Sequence, residues 1–268
     1  MMLVSTFLIY LLLTLMITST IFLVAMALRN NSIMDIAYGP VFLIATTGTI
    51  LLTDQYALAT AVAASLVALW SARLSLRILH KNFGKPEDPR YAAWREAWQQ
   101  KGTVYFILRS YLQVFVLQGL VIVGVSTPLI LLITYADMIS WPWLVAGSMV
   151  WLVGLTIETT ADWQLDAFIA RKKAGTESAN LMTTGLFRYS RRPNYFGESL
   201  IWWGFAVMAL TVPYGWLGLV GPILITYIVT KVTGPMLERI FEEKYPDDFA
   251  AYKAQTSYFI PLPPRTTG

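Results

Sequence analysis

The 268-residue chain contains no cysteine and a single histidine, His80. The absence of cysteine excludes disulfide bonds, thiol nucleophiles and thiolate metal ligands. One imidazole among basic residues is typical of a membrane boundary and cannot build a histidine-rich metal centre. The chain also lacks a P-loop, a G-x-G-x-x-G motif and internal repeats. The sequence therefore gives no reason to expect a metal site or a soluble nucleotide-binding domain.

Charge is scarce as well. Charged residues make up 13% of the chain, about half the share in a soluble domain, whereas 56% of residues are hydrophobic and the mean hydropathy is +0.55. Seven apolar runs approach or exceed the roughly 20 residues that cross a bilayer; they lie near 3–28, 33–53, 56–79, 112–134, 141–161, 197–212 and 216–230. The sequence predicts an all-α integral membrane protein with seven transmembrane helices, of which the last two form a tight hairpin. The first run has no cationic segment before it, so we interpret it as a retained span rather than a cleaved signal.

The distribution of charge predicts the orientation of these spans. All 20 Lys and Arg residues fall on one side of the predicted layout, in the segments 29, 73–109, 171–192 and 231–265. The connections on the other side contain Asp54 and Asp137 but no cation. Because Lys and Arg in short loops face the cytoplasm, the N-terminus is predicted outside and the C-terminus in the cytoplasm. The net charge of +4 thus follows from topology, and no nucleic-acid partner is expected.

Two polar side chains lie at the start of the second predicted span. Asp35 and Tyr38 are three residues apart and share a helix face, and the Gly-Pro pair that follows is expected to kink or open the backbone. A carboxylate inside a span costs about 2.5–3.5 kcal/mol on insertion scales, so a functional role is the default interpretation. The alternative is a structural ion pair with Arg73 or Arg77 of the third span. The two roles are compatible.

A second polar region precedes and enters the sixth predicted span, at residues 185–198 (GLFRYSRRPNYFGE). The guanidinium group of arginine can donate two parallel hydrogen bonds to a phosphate. Three arginines occur here, Arg188, Arg191 and Arg192. Asn194 offers the donors and acceptor that a carboxamide group requires. The arginines alone could equally mark the cytoplasmic end of a span. The sequence NYFGE, which carries Glu198 into the apolar run, favours a binding site.

The fifth span contributes a further pair of acids, Glu158 and Asp162, which lie four residues apart near its inner end. We therefore predict two parts within a single membrane domain. Residues 1–134 supply an apolar substrate cavity with an acid and a phenol, and residues 135–268 supply a cytoplasm-facing site with cations, an amide and carboxylates. This combination suits an enzyme that brings a soluble nucleotide to a lipophilic substrate.

The motifs resemble those of the steroid 5-alpha-reductase family, and most closely those of its bacterial members of unassigned substrate. The similarity rests on GLFRYSRRPNYFGESLIWWG and on the tail motif E-x2-F-x3-Y-P-x5-Y that leads to FIPLPP; DIAYG at 35–39 and LWSARLSLR at 69–77 extend it over most of the chain. The resemblance implies a seven-helix enzyme of the bacterial inner membrane. It also implies that NADPH reduces the C=C bond of a lipophilic α,β-unsaturated ketone such as a 3-oxo-4-ene steroid.

The resemblance also implies roles for individual residues. Asp35 falls where the family has the acid that engages the substrate carbonyl. The family's tyrosine on the third helix aligns near Trp70, which cannot donate a phenolic proton, so Tyr38 is the predicted substitute. The RHPNY of related sterol reductases reads RRPNY here, which removes an imidazole and adds a charge for phosphate. The predicted substrate contacts are Trp70, Arg73 and Gln113. The predicted NADPH contacts are Glu158, Asp162, Arg171, Lys172, Arg188, Tyr189, Arg192, Asn194, Tyr195, Glu198, Trp202, Lys231 and Glu238.

Two other classes of function fit part of the sequence. Isoprenylcysteine methyltransferases have a similar RHPxYxG segment and tail, but S-adenosylmethionine lacks phosphates and needs no arginine cluster. Asn194, Glu198 and Trp202 favour the reductase. A lipid transporter or small-molecule receptor would explain intramembrane acids and a Gly-Pro break. It would leave the cationic segment at 185–198 unexplained.

Overall fold

The computed structural model describes residues 1–265, and this part of the chain is helical, with no strand. Its one extended pairing is a parallel bridge between Ser190 and Ser257. Ten helices follow one another along these residues: α1 (Met2–Leu28), α2 (Ile33–Leu52), α3 (Leu58–Asn82), α4 (Pro89–Gln99), α5 (Thr103–Val125), α6 (Thr127–Thr134), α7 (Trp141–Lys173), α8 (Pro193–Ala209), α9 (Gly215–Lys244) and α10 (Pro246–Gln255).

Six of these helices, namely α1, α2, α3, α5, α7 and α9, are long and apolar enough to cross a membrane. The predicted class, an all-helical integral membrane protein, is thereby confirmed. The predicted span at 197–212 corresponds to α8, which has 17 residues. At 1.5 Å per residue α8 is about 25 Å long, slightly shorter than a hydrocarbon core of about 30 Å. The seventh span and the orientation of the termini remain predictions.

The bounds of three predicted spans are wrong; the last, predicted over 216–230, is α9, which continues to Lys244. In place of one helix over 112–134, α5 begins at Thr103 and ends at Val125, and α6 begins at Thr127. Pro128 has no N–H to donate to a preceding turn, so the helix is interrupted at Ser126. The fifth span, predicted over 141–161, continues to Lys173. The length of an apolar run indicates how much of a helix can lie in the hydrocarbon core. The helix itself can continue beyond that core, where its residues are polar.

The described chain forms two compact units. Unit 1 comprises residues 1–140 and 211–218, and unit 2 comprises residues 141–210 and those from 219 onward. The first therefore contains α1 to α6, and the second contains α7, α8, α10 and most of α9.

In unit 1, the buried face of α1 is lined with hydroxyl groups. Thr6, Tyr10, Thr14 and Thr18 recur every four residues and are fully or almost fully buried, while large apolar side chains such as Leu8 are exposed on the same helix. The Tyr10 hydroxyl donates to Ser126 Oγ at 2.8 Å and lies 3.3 Å from Thr46 Oγ1. In lipid, such interhelical hydrogen bonds and small residues hold helices together, because apolar side chains gain little by leaving one apolar medium for another.

Gly39 and Pro40 bring α2 close to α3. Pro40 cannot donate to the carbonyl of Ile36, and Ser75 Oγ of α3 donates to that carbonyl at 3.0 Å. A Cβ atom at Gly39 would lie 2.9 Å from Ser71 Oγ, so only glycine permits this approach. The Gly-Pro pair thus fixes the helix that carries Asp35.

In unit 2, α7 and α8 meet backbone to backbone at two glycine contacts, Gly154 with Gly197 and Gly147 with Gly204. The two glycines on each helix are seven residues apart. A Cβ atom at Gly154 of α7 would lie 2.8 Å from the Gly197 carbonyl, and one at Gly204 of α8 would lie 2.7 Å from the Gly147 carbonyl. Real Cβ atoms do not approach backbone atoms this closely. The contact aligns the C-terminal half of α7 with the start of α8, where the predicted cofactor residues lie.

Candidate functional site

In unit 1, Asp35 occupies the first turn of α2, and its side chain is 27% exposed. The Tyr91 hydroxyl donates to Asp35 Oδ1 at 2.7 Å, and an Nη atom of Arg90 lies 3.3 Å from Oδ2. Gln118 Nε2 of α5 donates to the Tyr91 oxygen at 3.2 Å. The acid, the phenol and the amide therefore form one hydrogen-bonded chain. The acid was predicted from the sequence, whereas Arg90 and Tyr91, which belong to α4, outside the six candidate spans, were not.

The start of α4 is fixed by two acids on the connection before it. Glu87 binds Arg95 through both oxygens, at 2.8 and 2.9 Å, and accepts the Asn31 N–H at 2.6 Å. Asp88 caps α4 by accepting the Arg90 N–H at 2.9 Å. Burial opposes ionisation of Asp88, but its hydrogen bonds from the Arg90 side chain and backbone outweigh that effect and lower its pKa. An Asp-Pro pair is a helix-start signal, so α4 could have been found in the sequence.

The aromatic residues predicted for unit 1 lie together. The ring of Tyr38 is 5.2 Å from that of Phe42 and 6.4 Å from that of Trp70, and Phe42 and Trp70 are 5.3 Å apart, all edge to face. Edge-to-face aromatic pairs stabilise a fold by more than the burial of their apolar area alone. The structure therefore brings the predicted catalytic tyrosine and the predicted substrate tryptophan into one cluster.

The other two predicted substrate residues are half-buried in different helices. Arg73 lies three residues after Trp70 on α3. Gln113 lies in α5, within the π-helical segment Ser110–Val116. A π-helical turn inserts an extra residue and changes the direction of the side chains around it, and such turns are frequent at functional sites.

In unit 2, the predicted carboxylates and amide meet across α7 and α8. Asn194 Nδ2 donates to Asp162 Oδ1 at 3.4 Å, and Trp202 Nε1 donates to Glu198 Oε1 at 3.0 Å. Asp162 and Glu158 are 4% and 5% exposed. Close packing of the glycines places the two helices so that these five predicted side chains share one interface.

The segment 185–192 is held by the C-terminal tail. Arg191 is buried; its Nε bonds Glu238 at 2.8 Å, and one Nη atom bonds the Thr256 carbonyl at 2.7 Å. The hydroxyl of Tyr252 donates to the Phe187 carbonyl at 2.6 Å. Residues of the tail motif thus hold the arginine segment in place through these hydrogen bonds. Sequence analysis did not predict the ion pair of Glu238 with Arg191.

Arg192, the next residue, has a different environment. Its guanidinium lies over the rings of Tyr195 and Phe241, at 5.9 and 5.4 Å, and its buried Nε has no hydrogen-bond partner among the described residues. Burial lowers the pKa of this arginine. Its position at the N-cap of α8 adds the positive end of a helix dipole.

The remaining predicted cofactor residues lie on the surface of unit 2. Arg171 binds Glu177 at 3.1 Å, and Lys172 Nζ donates to the Ala179 carbonyl at 2.7 Å, so both cations hold the loop after α7. The exposed residues of the set are Arg171, Arg188, Tyr189 and Lys231. Lys231 lies in a second π-helical segment, Ile228–Thr233. Among the residues that the structure describes, no group of three or more His, Cys, Asp or Glu side chains could hold a metal ion.

Comparison with known proteins gives a family. Residues 21–256 match the family described as "protein of unknown function (DUF1295)". An uncharacterised protein of Schizosaccharomyces pombe is 26% identical over 231 residues, which are 75% of this chain and 62% of that protein. The steroid 5-alpha-reductase of Gossypium hirsutum is 31% identical over 45% of this chain and 43% of its own length. The 3-oxo-5-alpha-steroid 4-dehydrogenase 1 of Bos taurus is 30% identical over 41% of this chain and 40% of its own length.

The matched regions thus span about three fifths of the yeast protein and about two fifths of each named steroid enzyme. No solved structure matches the chain. The family match nevertheless covers most of the chain, from the end of α1 to the end of α10, and includes both groups of site residues. The chain belongs to the DUF1295 family, which is a steroid 5-alpha-reductase-like family.

Proposed function

We propose that the protein is a membrane reductase that uses NADPH to reduce the C=C bond of a lipophilic α,β-unsaturated ketone, such as a 3-oxo-4-ene steroid. The observation that carries this proposal is the half-buried Arg192, with its buried Nε, at the N-cap of α8, beside the pair formed by Asn194 and Asp162. An arginine and a helix N-terminus together favour phosphate. The steroid enzymes named above provide the second line of support.

The residues of unit 2 fit NADPH. The buried Nε of Arg192, which has no partner among the described residues, suits a phosphate oxygen, and Asn194 suits the carboxamide of a nicotinamide. Trp202 and Glu198 would line the same site, and Arg188 and Lys231 add exposed positive charge. Arg171 and Lys172 would meet a 2′-phosphate only by exchanging their contacts with the loop at 177–180. When bound, NADPH would supply the hydride.

The residues of unit 1 fit the ketone. Negative charge develops on the carbonyl oxygen when a hydride reaches the β-carbon, so donors held near that oxygen lower the barrier. Asp35 and its hydrogen-bonded partners provide the polar end of such a site. Tyr38, Trp70 and the Phe42 ring between them provide an apolar aromatic wall, and Arg73 and Gln113 complete the proposed substrate set.

We also propose that α8 is the seventh span, with the N-terminus outside and the C-terminus in the cytoplasm of a bacterial inner membrane. The one-sided distribution of all 20 cations supports this orientation. It would expose the arginine segment of unit 2 to cytoplasmic nucleotide.

The test is ligand-induced thermal stabilisation of the detergent-purified protein by NADPH, NADH or S-adenosylmethionine, followed by NADPH oxidation with a panel of enones. We expect NADPH to raise the unfolding temperature, Asn194→Ala to abolish the rise, and the exposed control Gln100→Ala to retain it. Stabilisation by S-adenosylmethionine alone would replace the reductase with a methyltransferase. A lack of response to all three ligands would overturn an enzyme of either type and leave the transporter.

A further inference from the structure

The proposed reduction requires a proton for the substrate oxygen, and the resemblance places the usual phenol at Trp70, whose indole is a poor acid. Trp70 is also 1% exposed and packed edge-on against Phe42. The phenol of Tyr38 lies on the same aromatic wall. A different tyrosine, Tyr91, is hydrogen-bonded to the acid at the start of α2.

We infer that Tyr91 of α4 donates the proton to the substrate oxygen, with Asp35 and Gln118 holding its hydroxyl in place. This inference rests on the proposed reductase function. It moves the proton donor from a membrane span to a helix outside the spans, and it assigns Tyr38 to the apolar wall.

Tyr91 has a hydroxyl that is held between an acceptor and a donor. Its side chain is almost completely buried, and its hydroxyl both donates to Asp35 at 2.7 Å and accepts from Gln118 at 3.2 Å. The N–H of Gln118 would stabilise the phenolate that remains after the proton leaves. The Arg90 guanidinium, 5.7 Å from the centre of the phenol ring, adds positive charge. Burial, reinforced by the negative charge of Asp35, raises the pKa of Tyr91, so the phenol stays protonated until negative charge develops on the carbonyl oxygen and draws the proton.

The helix that carries Tyr91 is rigidly placed. The two-point ion pair of Glu87 with Arg95 has partners that are 10% and 15% exposed, and Glu87 also accepts the N–H of Asn31 just before α2. Asp88 N–H donates to Ser32 Oγ at 3.2 Å. These contacts tie the start of α4 to the turn that leads into Asp35. The distance between acid and phenol is therefore set by the backbone as well as by the side chains.

Hydride would add to the β-carbon as the C=C electron pair shifts to form a double bond between the α-carbon and the carbonyl carbon. The Tyr91 O–H would turn from Asp35 to the carbonyl oxygen and break as an O–H bond forms there, which leaves an enol and a phenolate. The α-carbon then takes a proton from water while the enol O–H returns its proton to Tyr91. Each turnover thus consumes one hydride and one proton from solvent, and Tyr91 is regenerated.

The experiment compares Tyr91→Phe with Tyr38→Phe, which removes the phenol predicted from the sequence, and with the control Tyr111→Phe. The Tyr111 hydroxyl lies 2.9 Å from Ser19 Oγ, so each of the three variants loses one hydroxyl from unit 1, and each is measured for kcat and KM with an enone that the wild type reduces. General acid catalysis contributes about 10²–10⁴-fold, so Tyr91→Phe should lower kcat at least about 100-fold. KM and the thermal shift with NADPH should remain within about twofold. Tyr111→Phe should retain kcat within about twofold, and Tyr38→Phe should lower kcat by a smaller factor than Tyr91→Phe.

A second variant guards against loss of folding in Tyr91→Phe. Gln118→Leu keeps the phenol but removes the N–H that stabilises the phenolate, and should lower kcat at least about tenfold with an unchanged NADPH shift. Suppose that the wild type reduces the enone. If Tyr91→Phe then keeps the wild-type kcat, or if Tyr38→Phe loses more of its kcat than Tyr91→Phe, this inference is overturned and the proposed function is not. A wild-type protein that binds no NADPH and reduces no enone would overturn the proposed function and this inference with it.

Discussion

At the scale of single residues, the two adjacent arginines of the RRPNY sequence have opposite surroundings. Arg191 is paired with Glu238 and with a tail carbonyl, whereas the neighbouring Nε of Arg192 has no hydrogen-bond partner in the described chain. The first therefore stabilises the fold of unit 2, and the second is the better candidate for binding phosphate. Charge alone does not distinguish them; their partners do.

Arg191→Met is expected to destabilise the protein by about 3 kcal/mol, because it leaves the Glu238 carboxylate, whose side chain is only 14% exposed, without its partner. Arg192→Met should change the unfolding temperature without ligand far less and should remove stabilisation by NADPH. Both variants replace a long cation by a chain of similar length, so each is the control for the other. Thermal unfolding of both with and without NADPH is the measurement. Equal losses of stability without ligand would contradict the division of roles.

The sequence grouped three arginines as phosphate ligands, and it could not separate them. Glu238 lies 47 residues after Arg191, and nothing local in RRPNY indicates which guanidinium faces the tail. The acid at 35 was found because a carboxylate in an apolar run is conspicuous. Tyr91 was missed because it follows the span in a polar loop, where a tyrosine is unremarkable until the chain folds back onto α2.

At the scale of helices, hydropathy was a good guide to α1, α2 and α3, whose apolar runs are continuous. It failed at the boundaries of α5, α7 and α9, because helices extend beyond the apolar region on polar residues. It also gave no sign of the α7–α8 contact. Gly147, Gly154, Gly197 and Gly204 resemble ordinary span glycines until the two helices are placed side by side.

This helix contact gives a second stability prediction. At Gly154, an added Cβ would lie 2.7 Å from the backbone nitrogen of Ile201, and neither backbone can yield without separating the helices. Gly154→Ala should therefore destabilise the protein by about 3 kcal/mol, at the upper end of overpacking costs, and weaken NADPH stabilisation by moving Asp162 from Asn194. The control is Gly48→Ala on α2, where the nearest atom, at 3.1 Å, is a Leu13 methyl group that can rotate. Equal unfolding temperatures for the two variants would refute the close contact.

At the scale of the whole molecule, α8 decides the topology. Six helices satisfy length and hydropathy for a span, and the 17-residue α8 is the seventh only if its roughly 25 Å crosses the bilayer. With α8 as a span, Thr211 lies outside and Glu243 in the cytoplasm. Without it, both positions change sides, while Asp137 stays outside and Lys85 stays in the cytoplasm.

The absence of cysteine makes this alternative measurable, because the unmodified chain gives no thiol background. Single cysteines introduced by Asp137→Cys, Thr211→Cys, Lys85→Cys and Glu243→Cys all replace exposed residues. We expect a membrane-impermeant maleimide to label the first two in intact bacterial cells, and the last two only after permeabilisation. Labelling of Glu243→Cys but not Thr211→Cys in intact cells would remove α8 from the spans. It would also place the C-terminal tail, which binds Arg191, outside the cytoplasm and away from NADPH. That result would contradict the proposed function.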